Sequence, residues 1–334
     1  MKKIIVSSAG GNFAPKDEPV PDPGRGCARI RVQACGVCHS DALTKDGSLP
    51  GMVYPRVPGH EIAGVIDALG PDADPWKAGD RVGVGWHGGH CGICESCRRG
   101  DFITCAKLQI PGISYDGGYA EYVSVPVAAL ARIPGALTSE EAAPLMCAGI
   151  TTFNALRHSG ARPGDLVAIQ GIGGLGHLGI QFASKFGLAT VAIGRGEQNR
   201  DLALKLGARV YIDARSQDVA KELTALGGAR AILATAPDGK AMGSLVDGLG
   251  VDGTLVTIGV SFEPMSVSSA QLLMARKSIL GWPSGTAKDS EDTLNFAAAN
   301  GVRAMIETFP LERAADAYER MISGKVRYRA VLQM

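Results

Sequence analysis

The chain has 334 residues, 46% of them hydrophobic and 20% charged, with a formal net charge of +1. At about 100 to 200 residues per domain this length implies two domains, and so small a net charge offers no field to attract nucleic acid or an acidic membrane. The apolar run after Met1-Lys-Lys is far shorter than a signal peptide requires, and no later run is long enough to span a bilayer. A cytoplasmic protein is expected, and in that reducing setting its eight cysteines point to metal ligands or catalytic thiols rather than disulfides.

The first half reads as irregular β-structure. Arg29-Ile-Arg-Val-Gln-Ala alternates polar and apolar residues, so it predicts a half-buried strand leading directly into Cys35-Gly-Val-Cys38-His39-Ser40-Asp41. Ile62 to Ala68, Asp80 to Gly85 and Tyr119 to Val125 predict further strands between Pro/Gly turns such as Gly70-Pro-Asp and Lys77-Ala-Gly-Asp. Thr138-Ser-Glu-Glu141 has the spacing of a capping box and predicts a helix running past Cys147.

From Asp165 onward the pattern becomes strand, helix, strand, helix. Six apolar runs stand at Leu166 to Gln170, Thr190 to Gly194, Arg209 to Ile212, Ala231 to Thr235, Thr254 to Gly259 and Ser278 to Gly281. This alternation implies a parallel, doubly wound α/β sheet covered by helices on both faces. Beyond Thr286, helical patterns at Ser290 to Ala299 and Leu311 to Met321 precede a strand-like Arg329-Ala-Val-Leu, a tail expected to return to the first domain.

Gly171-Ile-Gly173-Gly174-Leu175-Gly176 follows the first of these strands and opens a helix whose apolar positions include Leu178, Phe182 and Phe186. Glycines there permit a tight turn, bring backbone N–H groups close to a pyrophosphate and let helix pack on strand, so the motif predicts a dinucleotide site. The second strand ends Ala192-Ile193-Gly194-Arg195, where such a site expects an acid for the adenosine ribose. A glycine there would leave room for a 2′-phosphate, and Arg195 or Arg200 could pair with it, which favours NADP(H) over NAD(H).

Cys91, Cys94, Cys97 and Cys105 lie within fifteen residues of glycine-rich, charged sequence. Short spacers of this kind fold a chain around one tetrahedral ion, so the cluster predicts a closed structural zinc site, with His87 and His90 as bystanders. Cys38, His60 and Cys147 form a dispersed second set, and two thiolates with one imidazole and an open fourth position is the pattern of catalytic zinc.

Cys38-His-Ser-Asp41, Gly59-His60-Glu61, the four-cysteine lobe, Met146-Cys147-Ala-Gly and Gly171-x-Gly-Gly-x-Gly176 occur in the order and spacing of the zinc-dependent alcohol dehydrogenases of the medium-chain dehydrogenase/reductase superfamily. The resemblance covers nearly the whole chain. It implies a six-stranded Rossmann domain over 150–284 and a mainly-β GroES-like catalytic domain over 1–149 and 285–334, with a zinc lobe at about 87–108. Two zinc ions per chain are implied. Cys38, His60 and Cys147 would hold the catalytic one, with Glu61 able to exchange onto it, and Asp41 would fix the His60 tautomer. Ser40 would take the alcohol proton, His39 would meet the pyrophosphate, and Thr151 would lie beside the nicotinamide. Gly259 would line the cofactor, and Leu49, Ser40 and Trp86 the substrate pocket.

The family's relay histidine, five residues after the first ligand cysteine, is Leu43 here, which leaves the proton's exit open. Cys27 and Cys35 read as buried hydrophobes, and His158 and His177 as non-catalytic. The resemblance thus implies reversible hydride transfer between a primary alcohol, or a secondary one, and its carbonyl partner, in a homodimer or homotetramer. The alternatives are a cinnamyl-, polyol- or formaldehyde-type zinc dehydrogenase, or, from another class, a non-catalytic nucleotide-binding or redox-sensing protein. The retained ligand set with Ser40 and Glu61 speaks against the last of these.

Overall fold

A computed structural model describes all of residues 1–334, and the chain separates into two compact units, Met1–Ile150 with Ser284–Met334, and Thr151–Pro283. No helix is long and apolar enough to cross a membrane.

The first unit is built on a seven-stranded sheet. Its path runs Ile306–Pro310, Arg329–Gln333, Cys27–Val37, Ile62–Leu69, Arg81–Val84 and Ala131–Arg132, with Tyr122–Pro126 also paired to Cys27–Val37. Neighbours are antiparallel except the first pair. The Cys27–Val37 strand alternates in burial over its first half and is continuously buried from Ala34 onward, which carries Cys35 to Cys38 inward. Ile30, Ile62, Ile66, Val82, Val123 and Leu332 form the core beneath it. Each is nearly or fully buried, a contribution of about 1.5–3 kcal/mol per side chain. The strand Ile306–Pro310 and the pair Lys2–Val6 with Phe13–Asp17 were not apparent from the pattern alone.

The expected helix through Cys147 is interrupted. Thr138 caps Ser139–Ala142, with Glu141 N–H donating to its Oγ1 at 3.2 Å and its own N–H reaching Glu141 Oε2 at 2.9 Å. Pro144 then falls within a tighter turn, Ala143–Met146, and Cys147 leaves helical geometry at φ −129°, ψ −72° before a new helix starts at Ala148. Pro144 has no N–H to continue the preceding helix and crowds the turn before it, so the end of the capped helix at Ala142 is local in origin.

The second unit is a six-stranded parallel sheet in the order Val210–Asp213, Ala189–Gly194, Leu166–Gln170, Ala229–Ala234, Leu249–Thr257, Ser278–Gly281. This is the doubly wound order 3-2-1-4-5-6, whose ligand crevice lies beyond the carboxyl ends of the strands where the order reverses. The helix Gly176–Lys185 follows the glycine turn and is buried all round from Gly176 to Ala183, wider than the single face its sequence suggests.

Candidate active site

Three segments meet at the end of the Cys27–Val37 strand. After Val37 the chain turns into the helix Asp41–Asp46, with Asp41 N–H donating to Cys38 O at 3.0 Å and Gly47 ending the helix at φ 70°. The second segment, Val57 to Glu61, is laced to its neighbours by Gly36 N–H to Glu61 O at 2.9 Å and Tyr119 N–H to Pro58 O at 3.0 Å. Gly59 has to be glycine: its φ is +102°, and a Cβ would come within 2.5 Å of the Tyr119 ring. In the third segment, Met146 packs so closely on Gly83 that a Cβ there would lie 2.6 Å from its Sδ, which seats Cys147 beside the sheet.

These segments bring one ligand atom each from Cys38, His60, Glu61 and Cys147 within 4.8 Å of one another. The two sulfurs are 3.9 Å apart. Asp41 Oδ1 faces His60 Nδ1 at 3.2 Å, while its Oδ2 accepts the Cys38 N–H and the Tyr119 hydroxyl, both at 2.9 Å. Burial opposes charge on the His60 ring, but Asp41 outweighs it and lifts the ring's pKa well above the usual range. A proton kept on Nδ1 presents Nε2, which is buried and has no hydrogen-bond partner, to the thiols.

Hydrogen bonding from Cys147, outweighing burial, holds the Cys38 thiol well below its ordinary range, and Cys147 is correspondingly pushed up. A dication between the two sulfurs would take the place of the hydrogen bond that joins them. Two soft sulfurs, an orphaned imidazole nitrogen and an oriented ring fit zinc in a site with an open position.

Glu61 is completely buried and pairs with Arg329, itself buried. Burial raises the Glu61 carboxyl to about 7, against the pull of Arg329. Its Oε2 has no partner, and Gly36 is needed beneath it because a Cβ would collide with that oxygen. Neither Arg329 nor Tyr119 was singled out from sequence. Trp86 stands edge-on to His60, ring centroids 5.0 Å apart at 90°. His39 is exposed, Ser40 and Leu49 are half-buried, and Cys35 is fully buried.

Cys91, Cys94, Cys97 and Cys105 also gather within 4.8 Å, none of them in a disulfide. Backbone N–H groups of Cys97 and Ala106 bring the Cys94 thiol down to about 6, and Cys105 Sγ accepts from the N–H of Cys91 and of Lys107 at 3.3 Å. Such N–H donors stabilise thiolates, so this cluster too fits zinc. His87 and His90 stand outside it, hydrogen-bonded to each other at 3.0 Å, with His90 stacked on Phe102.

Residues 24–135 match the family model of the alcohol dehydrogenase GroES-like domain, and residues 174–307 that of the zinc-binding dehydrogenase. The alcohol dehydrogenase patD of Penicillium expansum is 43% identical over 333 residues, covering 100% of this chain and 97% of the relative. The chain belongs to the zinc-dependent alcohol dehydrogenases of the medium-chain dehydrogenase/reductase superfamily. An alcohol dehydrogenase of Geobacillus stearothermophilus is 37% identical over 336 residues, 100% of both chains. The solved cinnamyl alcohol dehydrogenase SbCAD4 of Sorghum bicolor superposes at a TM-score of 0.90 with 30% identity, covering 99% of this chain and 97% of that one. The protein is an oxidoreductase that uses a nicotinamide cofactor and a small alcohol or aldehyde substrate.

In this dehydrogenase the glycine turn has residue-specific causes. Gly171 is left-handed at φ +89°, Gly176 passes so close to Gly171 O that a Cβ would collide with it, and Gly259 would meet Thr235 O at 2.5 Å. Gly173 has nothing within 4 Å of its Cβ position, so packing does not demand it and close approach of a ligand would. Thr151 is buried in the helix Ala148–Arg157.

The cavity at the carboxyl ends of the strands has a volume of about 1240 Å³, and its lining includes Gly171, Gly194 and Arg195. Arg200 is not in that lining. It pairs with Glu197 and lies over the Tyr211 ring, 5.2 Å from its centroid. Nor is Gly194 a vacant position, because a Cβ there would overlap the Tyr211 hydroxyl.

Proposed function

We propose that this dehydrogenase oxidises primary alcohols and reduces the matching aldehydes at the Cys38, His60, Cys147 site, with NADP(H) preferred over NAD(H). The observation that carries this reading is the meeting of two thiols with an oriented imidazole nitrogen that has no other partner. A zinc ion there would supply Lewis acidity, which lowers the pKa of bound water from about 15.7 to about 7 and acts on a bound alcohol in the same sense.

Cys38 Sγ, Cys147 Sγ and His60 Nε2 hold this ion, and Asp41 fixes the His60 ring through Nδ1. Glu61 is the reserve ligand, adjacent to His60 and held by Arg329. Ser40, half-buried at the mouth of the helix, accepts the substrate hydroxyl proton at its Oγ. Trp86, edge-on to His60, walls the side on which an apolar alcohol sits, and Leu49 is assigned to the same pocket. Thr151 binds the cofactor together with the glycine turn of the same unit. The four-cysteine lobe holds a second, structural zinc. The test is a steady-state screen of short, branched and aromatic alcohols and aldehydes with both cofactors; activity with primary alcohols and NADPH is expected, and none with any pair would contradict the reading.

Assembly and setting belong to the same proposal. A homodimer or homotetramer is supported by the strand Ser278–Gly281, which pairs on one side only, and by Phe262, Leu273 and Met274, all more than three-quarters exposed on the same unit. A reducing cytoplasmic setting is supported by eight unpaired cysteines.

A further inference from the structure

The second strand of the dinucleotide-binding unit ends at Gly194, and the neighbouring strand places Tyr211 and Asp213 beside it. Tyr211 is 4% exposed, and its hydroxyl donates to Gly196 O. A side chain at position 194 would overlap that hydroxyl and bring its Cβ within 2.8 Å of the Tyr211 Cζ. No acid can therefore stand at 194 while Tyr211 holds its place. Asp213 does not substitute for it, because its carboxylate accepts from the N–H of Gly196 at 2.6 Å, from the N–H of Arg215 at 2.9 Å and from the Ser216 hydroxyl at 3.2 Å.

The cations lining the same cavity are not equivalent. Arg195 is paired with Asp238 at 2.8 Å, and Lys221 with Asp218 at 3.4 Å. Lys240 stands on the helix Gly239–Ser244 that follows the fourth strand. Arg215 lies over the left-handed Gly196, its Nη1 3.2 Å from where a Cβ would be, and its guanidinium makes no ion pair or hydrogen bond. A planar guanidinium engaged in no ion pair, on a turn whose backbone N–H is held by the Asp213 carboxylate, is well suited to a phosphate monoester.

We propose that Arg215 binds the adenosine 2′-phosphate of NADP(H), and that Tyr211, by filling the place of a residue-194 side chain, excludes the acid that would bind an unphosphorylated ribose. This deepens the NADP(H) reading above and rests on it. It transfers the main role from Arg195 and Arg200 to a residue that neither the glycine motif nor the strand end marks.

The test is equilibrium titration of the zinc-loaded full chain with NADPH, NADH, adenosine 2′,5′-bisphosphate and adenosine 5′-monophosphate. Arg215→Ala is expected to weaken NADPH and the bisphosphate roughly tenfold or more, leaving NADH and the monophosphate unchanged. Gly194→Asp alone gains no NADH affinity, whereas Gly194→Asp combined with Tyr211→Val does; thermal melts separate a binding change from loss of fold. An NADPH preference that survives Arg215→Ala, or a gain in NADH affinity from Gly194→Asp alone, overturns this proposal and leaves the NADP(H) reading standing. A wild-type protein indifferent to the 2′-phosphate overturns both.

Discussion

The Tyr119 hydroxyl donates to Asp41 Oδ2 at 2.9 Å, although the two residues are 78 positions apart. Asp41 thereby receives three donors, from Tyr119, the Cys38 backbone and His60, all in a buried setting. Tyr119→Phe keeps the ring that packs on Gly59 and deletes one donor to a charged acceptor, at an expected cost of about 1.5–3 kcal/mol. Because Asp41 orients His60, metal affinity should also fall about 10- to 100-fold. Chelator-driven zinc release should be faster in Tyr119→Phe; an unchanged release rate would remove Tyr119 from the ligand support.

Arg329 and Glu61 are a buried pair in which breaking one side is costlier than removing both. Arg329→Met leaves Glu61 buried without its cation and is expected to destabilise the fold by about 3–5 kcal/mol. Glu61→Gln in the same chain should restore most of that loss, since it removes the uncompensated charge. Denaturant unfolding of the two single variants and the double variant reads this directly; additive losses would contradict it.

His87 supplies a pH signature. Burial, with the neighbouring His90 adding to it and Asp289 opposing, lowers its pKa from 6.5 to about 4. The unfolded chain therefore binds the proton first, so His87 contributes stability above pH 6.5 that is lost as pH falls through about 4. The difference of about 2.5 units corresponds to about 3 kcal/mol. Unfolding free energies of wild type and His87→Gln, compared from pH 7 to pH 4, should show the wild type losing more; parallel curves would contradict the assignment.

The assembly surface is testable without touching either cysteine set. Replacing Phe262, Leu273 and Met274 together with serine should shift sedimentation toward the monomer if this face joins two copies. An unchanged sedimentation coefficient would place the interface elsewhere.

Short-range features of the site were legible in the sequence because their physics is local. The cysteine spacing of the lobe, the Gly59-His60-Glu61 run and the strand-turn-helix around Gly171 each specify geometry within a few residues. What was not legible depends on contacts between distant residues. Arg329 meets Glu61 across 268 positions, and nothing in Arg329-Ala-Val-Leu marks it as more than a strand start. Tyr211 occupies the space at Gly194 because two parallel strands register Tyr211 with Ala192, a pairing that periodicity does not give. The end of the capped helix at Ala142 was within reach, since Pro144 lacks the N–H that would continue it, but the capping box at Thr138 drew the helix onward.

The most direct test of the catalytic claim is metal content measured alongside turnover. Wild type should contain two zinc ions per chain, and Cys38→Ala or Cys147→Ala should contain one, with turnover abolished and cofactor binding retained. Two zinc ions and undiminished turnover in Cys38→Ala would contradict the account.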